Sequence, residues 1–241
     1  MRPWYKWLLR LITPNWLLKP NGCWSGIIAI ARTVLVLLWL VGMGGCDRIN
    51  SLTPSDSQDH LWFYDDFSDP QRGWQQWESE QAKIVNQEGG LRFSINAPYY
   101  DYWSLAGIQI EDAILAVEAR VVGGPLNNDF GLICRYQNPG QFYAFIISSD
   151  GYAGIAVVDE EGYHLLTGTT LTYFASLERD RSTYLLRADC IGPRLTLYVD
   201  REKLLETEDH RYNSGDVGVF AGTFDQVGVE VIFDNFYVFK P

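Results

Sequence analysis

Residues 129–158 read DFGLICRYQNPGQFYAFIISSDGYAGIAVV, and this stretch decides the fold. It contains three runs, 129–137, 141–148 and 152–158, each rich in β-branched and aromatic side chains. Such runs fit a pleated, half-buried surface and are too short for ordinary helices. Asn138-Pro139-Gly140 and Ser149-Asp150-Gly151 separate them and supply the fixed-φ or positive-φ residues that tight reversals need. The stretch therefore predicts three antiparallel strands joined by two hairpins. In residues 141–148, QFYAFIIS, both alternating sets of side chains are apolar, which predicts a central strand covered on both faces.

The same pattern extends outward in both directions. Upstream, strands are expected at 61–67, 91–95, 104–110 and 114–122. Downstream they are expected at 163–167, 183–191, 194–200, 203–208, 216–222 and 229–239, with further turns at Glu160-Glu161-Gly162 and Ile191-Gly192-Pro193. In TYLLRADCI, Tyr184, Leu186, Ala188 and Cys190 share one face, while Arg187 and Asp189 point the other way. In RLTLYVD, Leu195, Leu197 and Val199 lie opposite Thr196 and Tyr198. No amphipathic helix interrupts the series. Consecutive hairpins without crossover helices imply an all-β, two-sheet antiparallel sandwich or barrel.

Charge divides the chain. Residues 1–45 hold five basic residues, Arg2, Lys6, Arg10, Lys19 and Arg32, and no acidic one. The remainder holds fourteen basic and thirty acidic residues. So acidic a domain does not suit nucleic acid, whose binding rests on phosphate neutralisation. Cations and neutral ligands such as glycans remain as ligand classes. Residues 27–41, IIAIARTVLVLLWLV, are apolar apart from Arg32 and Thr33, follow basic residues, and precede Gly42-Met43-Gly44-Gly45-Cys46. That is the layout of a secretory signal. Residues 47–60, DRINSLTPSDSQDH, are polar without apolar period and read as a flexible tether.

Met43-Gly44-Gly45-Cys46 resembles a bacterial lipobox, in which cleavage before the Cys leaves it as the lipidated first residue. The resemblance implies lipidation of Cys46, and acyl chains anchor a protein to a membrane. Met43 stands where Leu is usual, and the basic region is longer than usual. An uncleaved helix over residues 27–45 is the alternative, just long enough to span a bilayer. Both readings place the domain on the extracytoplasmic side, in the periplasm or at the cell surface. The expected organisation is a signal or anchor over 1–45, a tether over 46–60 and one sandwich domain over 61–241.

Three segments carry a second resemblance: FGLICRYQNPGQFYAFIISSDGYAGI (130–155), LRADCIGPRLTLYVDREKLLETE (186–208) and GDVGVFAGTFDQVGVEVIFDNFYVFKP (215–241). They resemble the concanavalin A-like lectin/glucanase jelly roll, the laminin-G-like and family-16-glycosidase-like shape found in exported bacterial proteins. The resemblance implies two stacked antiparallel sheets with the first and last strands close together. It also implies a disulfide between Cys134 and Cys190, an even pair in an exported domain; two buried free thiols are the alternative. The fold hosts lectins, glycosidases and adhesion modules alike. The hairpin after LTLYV often carries Asn-Gly in such domains. Here it is Asp200-Arg201-Glu202, which predicts a less strained turn or a longer loop.

Chemistry is sparse in the sequence. Glycosidases of the family-16 type carry a Glu-x-Asp-x-(x)-Glu strand that aims its acids into one cleft, and no Glu here has that spacing. His60, His164 and His210 are scattered. Asp66, Asp69 and Asp234, with Asp65 and Asn235, are the calcium candidates if the first and last strands are neighbours; capped turns are the alternative. Tyr99-Tyr100-Asp101-Tyr102-Trp103 begins in a loop after Pro98 and is the foremost ligand-binding candidate, through Tyr100, Tyr102 and Trp103, with Arg135 and Tyr143 joining from the sheet. Alternatively, alternate rings of that cluster plug the edge of the sandwich. Trp74 and Trp77 are expected to pack beneath a loop. The resulting expectation is a non-catalytic binding module for a glycan or envelope component. A glycoside hydrolase-like enzyme and a protein-interaction module of the envelope are the alternatives.

Overall fold

The computed structural model describes residues 60–177 and 182–241. The segment with the apolar run, Cys46 and residues 47–59 lies outside them. Among the described residues there is no helix, and so none long and apolar enough to cross a membrane. The strands are β1 (Leu61–Asp65), β2 (Trp77–Glu78), β3 (Ala82–Asn86), β4 (Leu91–Ile95), β5 (Asp101–Leu105), β6 (Ala113–Gly123), β7 (Asn128–Asn138) and β8 (Gln141–Ile147). They continue with β9 (Tyr152–Asp159), β10 (Gly162–Leu165), β11 (Thr172–Tyr173), β12 (Thr183–Ile191), β13 (Arg194–Val199), β14 (Glu202–Glu208), β15 (Asp216–Thr223) and β16 (Val229–Phe239).

Two antiparallel sheets stack face to face. The nine-stranded sheet runs β14-β13-β12-β6-β16-β4-β3-β2, with β1 also paired to β16. The seven-stranded sheet runs β10-β9-β8-β7-β15-β5, with β11 also paired to β9. First and last strands are indeed adjacent, with Leu61 opposite Phe239 and Asp65 opposite Phe236. Alternation places Tyr184, Leu186, Ala188, Cys190, Leu195 and Leu197 in the shared core. On the opposite face, Arg187 holds Asp189 through two charge-assisted bonds of 2.7 and 2.9 Å and lies 5.0 Å from the Tyr198 ring. The disulfide Cys134–Cys190 ties β7 to β12 across the two sheets, with Cα atoms 7.0 Å apart.

The two outer faces differ in chemistry. On the nine-stranded sheet Arg92 pairs with Glu88 and Glu230, and Lys203 with Glu206. The outer face of the seven-stranded sheet is apolar: Trp103, Leu105, Ile133, Phe142, Ala144, Ile146, Ala156, Val158 and Phe220 form a second buried cluster. Central strand β8 is thus covered on both faces, with Phe142, Ala144 and Ile146 outward and Tyr143, Phe145 and Ile147 in the core.

Three expectations about elements need correction. The strand expected at 104–110 lies earlier, over Asp101–Leu105, and only Ile110 bridges onward, to Gly215. Gly107 at φ 76° turns the chain away, and Asp216 pins that turn by accepting from Gly107 N and Ile108 N. Strands β2, β3 and β11 were not expected; β2 and β11 have two residues each, and AKIVN in β3 shows too little alternation. The turn after β13 is a tight two-residue reversal, with Val199 opposite Glu202 and positive φ at both Asp200 (48°) and Arg201 (77°). That is the strained geometry Asn-Gly usually serves, adopted without glycine.

Candidate functional site

Arg135 organises the end of the sandwich where the disulfide lies. It sits in a bulge of β7, where the pairing with β8 shifts between Cys134 and Asn138. Its φ of 52° lies in the left-handed region. The neighbouring Gly215 is required because a β-carbon there would collide with the Arg135 and Tyr136 backbone. The bulge turns the guanidinium into the protein, where Arg135 is 2% exposed. It donates to Glu111 O (3.1 Å), Tyr212 O (2.9 Å), Asp112 Oδ1 (3.1 Å) and Cys190 O (3.4 Å). One side chain thereby joins the β5–β6 connection, the β14–β15 connection and β12.

A polar pocket of about 240 Å³ opens above this hub, lined by Glu111, Asp112, Arg135, Gly192, Pro193, Asp209, His210, Tyr212 and Asn213. Its walls are braced. Asp112 Oδ1 also accepts from Gly192 N at 2.9 Å. Asp209 accepts from Tyr143 Oη–H at 2.6 Å and from Arg211 Nη1 at 3.1 Å. Burial, and then the bond to Asp209, raises the Tyr143 phenol well above its ordinary pKa, so it remains a donor. Asp112 and Asp209 have their lone pairs engaged by cations, backbone and a phenol, which suits positioning better than proton transfer. His210 and Asn213 are exposed at the rim.

The candidates read from the sequence fall into two groups. Arg135 lines this pocket, and Tyr143 stands behind it; Tyr143 is fully buried and acts through Asp209 instead of facing a ligand. The aromatic cluster is placed differently from the expectation of exposed rings. Only Tyr99 and Tyr100 precede β5, and Tyr99 takes a φ of 60° at the entry. Tyr102 is 7% exposed and points into the core, with half-buried Tyr100 stacked on it at 6.2 Å. Trp103, 5% exposed, points to the outer face beside Tyr136 and Phe142, with centroids 6.2 and 6.0 Å away. Alternation within β5 splits the cluster between two faces, so the rings form no single platform. Trp74 packs between Phe67 and Phe236 and donates to Asp65 Oδ2, whereas Trp77 is exposed.

The calcium candidates are each engaged in local hydrogen bonds. Asp65 accepts from Phe67 N and Trp74, Asp66 from Ser68 N, Asp69 from Gln71 N, and Asp234 from Asn235 N. Each closes a local turn, as short acidic side chains do. Among the described residues no group of three His, Cys, Asp or Glu is placed to hold a metal ion.

The pocket residues Glu111, Asp112, Asp209 and His210 went unrecognised in the sequence because two separate connections, β5–β6 and β14–β15, supply them. Isolated polar residues in loops carry no spacing signal.

Two stacked antiparallel sheets with β1 and β16 adjacent make a jelly-roll sandwich of the concanavalin A-like shape. Among solved structures similar to the chain is carbohydrate-binding module CBM66 from Bacillus subtilis. It shows 13% identity and a TM-score of 0.55 over 70% of this chain and 96% of that one. A protein of unknown function with a galectin-like fold, also from Bacillus subtilis, matches at 11% identity and 0.55, over 75% and 96%. The Bacillus licheniformis β-glucanase matches at 10% and 0.54, over 74% and 97%. At these identities the likeness is one of fold. No protein-family model matches the chain, and no curated protein matches it in sequence.

Proposed function

We propose that this chain is an exported, membrane-tethered, non-catalytic binding module that takes a neutral glycan, or a similarly hydroxyl-rich envelope component, in the Arg135 pocket. The pocket itself carries the reading. Its size suits about one sugar ring, and its walls mix carboxylate, imidazole, amide and backbone groups that can meet hydroxyls from several directions. Glu111, Asp112 and Asp209 outnumber the one arginine there, so anionic sugars are disfavoured. The inter-sheet disulfide and the Arg135 bonds hold the walls in place before a ligand arrives, which lowers the ordering cost of binding. The likeness in fold to a carbohydrate-binding module is compatible with this reading.

Calorimetric titration with a panel of neutral and acidic oligosaccharides tests it. A neutral member should bind, and His210→Ala combined with Asn213→Ala should weaken it roughly tenfold or more, at about 1 kcal/mol per lost hydrogen bond. Because both residues are exposed, the fold should be unaffected. A panel without a binder, or a variant that binds as well as the wild type, would remove the pocket from consideration.

A second reading, glycoside hydrolysis, would rest on Asp101 and Asp129, which meet on the outer face of the seven-stranded sheet. Glycosidases hold their two carboxyl groups roughly 5–9 Å apart with the sugar between them. The Oδ1 atoms of these two meet in the hollow at Gly222, which leaves no room for a ring between them. Glycan turnover abolished by Asp101→Asn would reinstate the enzyme.

A further inference from the structure

Asp101 in β5 and Asp129 in β7 belong to strands that are not neighbours, since β15 runs between them. The residue of β15 opposite both is Gly222, paired with Asp101 on one side and Asp129 on the other. A β-carbon at Gly222 would strike the Oδ1 atoms of both aspartates. The two carboxyl groups therefore occupy the hollow that the missing side chain leaves, and they touch across it. Asp129 is 8% exposed, and its Oδ1 has no hydrogen-bond partner unless one of the two carboxyls carries a proton. Beside the pair is a cavity of about 20 Å³, lined by Ala144, Ile146, Tyr163, Leu171, Phe220 and Phe224 as well as the two aspartates. It has room for about one water molecule. Among the described residues no Lys, Arg or His lines it. Beyond the two carboxyls, the titratable group facing it is the Tyr163 phenol, itself pushed up by burial and by both aspartates.

We propose that Asp101 and Asp129 hold one proton between them across the hollow at Gly222, and that this proton latches the edge strand β5 to its sheet. Among the described strands, β5 pairs on one side only, with β15. Two adjacent charges, Asp129 buried and Asp101 half-buried, with no cation between them would repel through the very strand that separates them. A shared proton converts that repulsion into a bond, as between other paired carboxyls. The latch is distinct from the Arg135 pocket: Asp129 and Arg135 stand six positions apart along β7, about 20 Å of strand.

Burial holds the Asp101 acid up to about 7, and burial with the neighbouring charge raises Asp129 well above the carboxylate range. The sign of the pH dependence follows. The unfolded chain releases these protons near pH 4, whereas the folded chain retains the shared one to about pH 7. The contribution is thus complete below about pH 4 and is lost as pH rises through about 7.

The test uses the full chain in detergent. Between about pH 5 and 8 the melting midpoint should fall by roughly 3 °C or more. Amides of β5 should lose hydrogen-exchange protection relative to those of β8. In Asp129→Asn the amide donates permanently to Asp101, so both changes should vanish. Asp101→Asn is the second variant should the first fail to fold. On the wild type alone, infrared difference spectra at neutral pH should show the carbonyl stretch of a protonated carboxylic acid. A midpoint falling equally in the wild type and a folded variant, or absence of that acid band, would overturn the latch.

Discussion

At the residue scale, Arg135 shows how one side chain can decide the shape of a site. Its guanidinium donates to three backbone carbonyls and one carboxylate from separate segments. Lysine retains the charge but gathers its donors on a single nitrogen and lacks the rigid fork. Arg135→Lys should therefore leave buried carbonyls unpaired and cost about 2–4 kcal/mol, measured as a lower urea midpoint. Equal stability of the two proteins would mean that the loops are held by the disulfide alone. In the sequence, Arg135 was legible as a ligand-binding candidate on a strand, but its burial was not. The burial comes from a bulge at a non-glycine residue, and nothing in CRYQ marks it.

At the element scale, period-two alternation was a reliable guide wherever strands are long. Residues 91–95 and 229–239 match β4 and β16, and both faces of β8 were anticipated. It failed where a turn cuts an apolar run, as Gly107 does within SLAGIQI. The Asp200-Arg201 reversal is the informative case. Two consecutive non-glycine residues in the left-handed region cost roughly 1–2 kcal/mol each. Asp200 N donates to Leu185 O and Leu185 N to Asp200 Oδ1, which fastens the turn to β12. Arg201→Gly should create an Asp-Gly turn and stabilise the protein by about 0.5–1 kcal/mol, raising its melting midpoint. No gain would indicate that Arg201 makes compensating contacts in the turn.

At the scale of the whole molecule, one outer face carries ion pairs and the other a buried apolar cluster beside the Asp101–Asp129 pair, with a polar pocket at one end of the sandwich. If the domain is tethered as proposed, Cys46 carries the lipid. Cys46→Ser should abolish metabolic incorporation of labelled palmitate and release the domain from membranes. An unlabelled wild type that remains membrane-bound would favour an uncleaved helix over residues 27–45.

By itself the sequence determined the class of fold, the runs that become strands and, for most of them, which side chains face the core, because alternation and turn chemistry are local properties of the chain. It also marked the acidic balance of the domain and the export-type layout before it. Tertiary structure alone decided the meeting of Asp101 with Asp129 over Gly222, the burial of Arg135 and the assembly of the pocket from three connections. Those features join groups far apart along the chain. Their juxtaposition depends on strand order and bulges, which a period-two pattern does not encode.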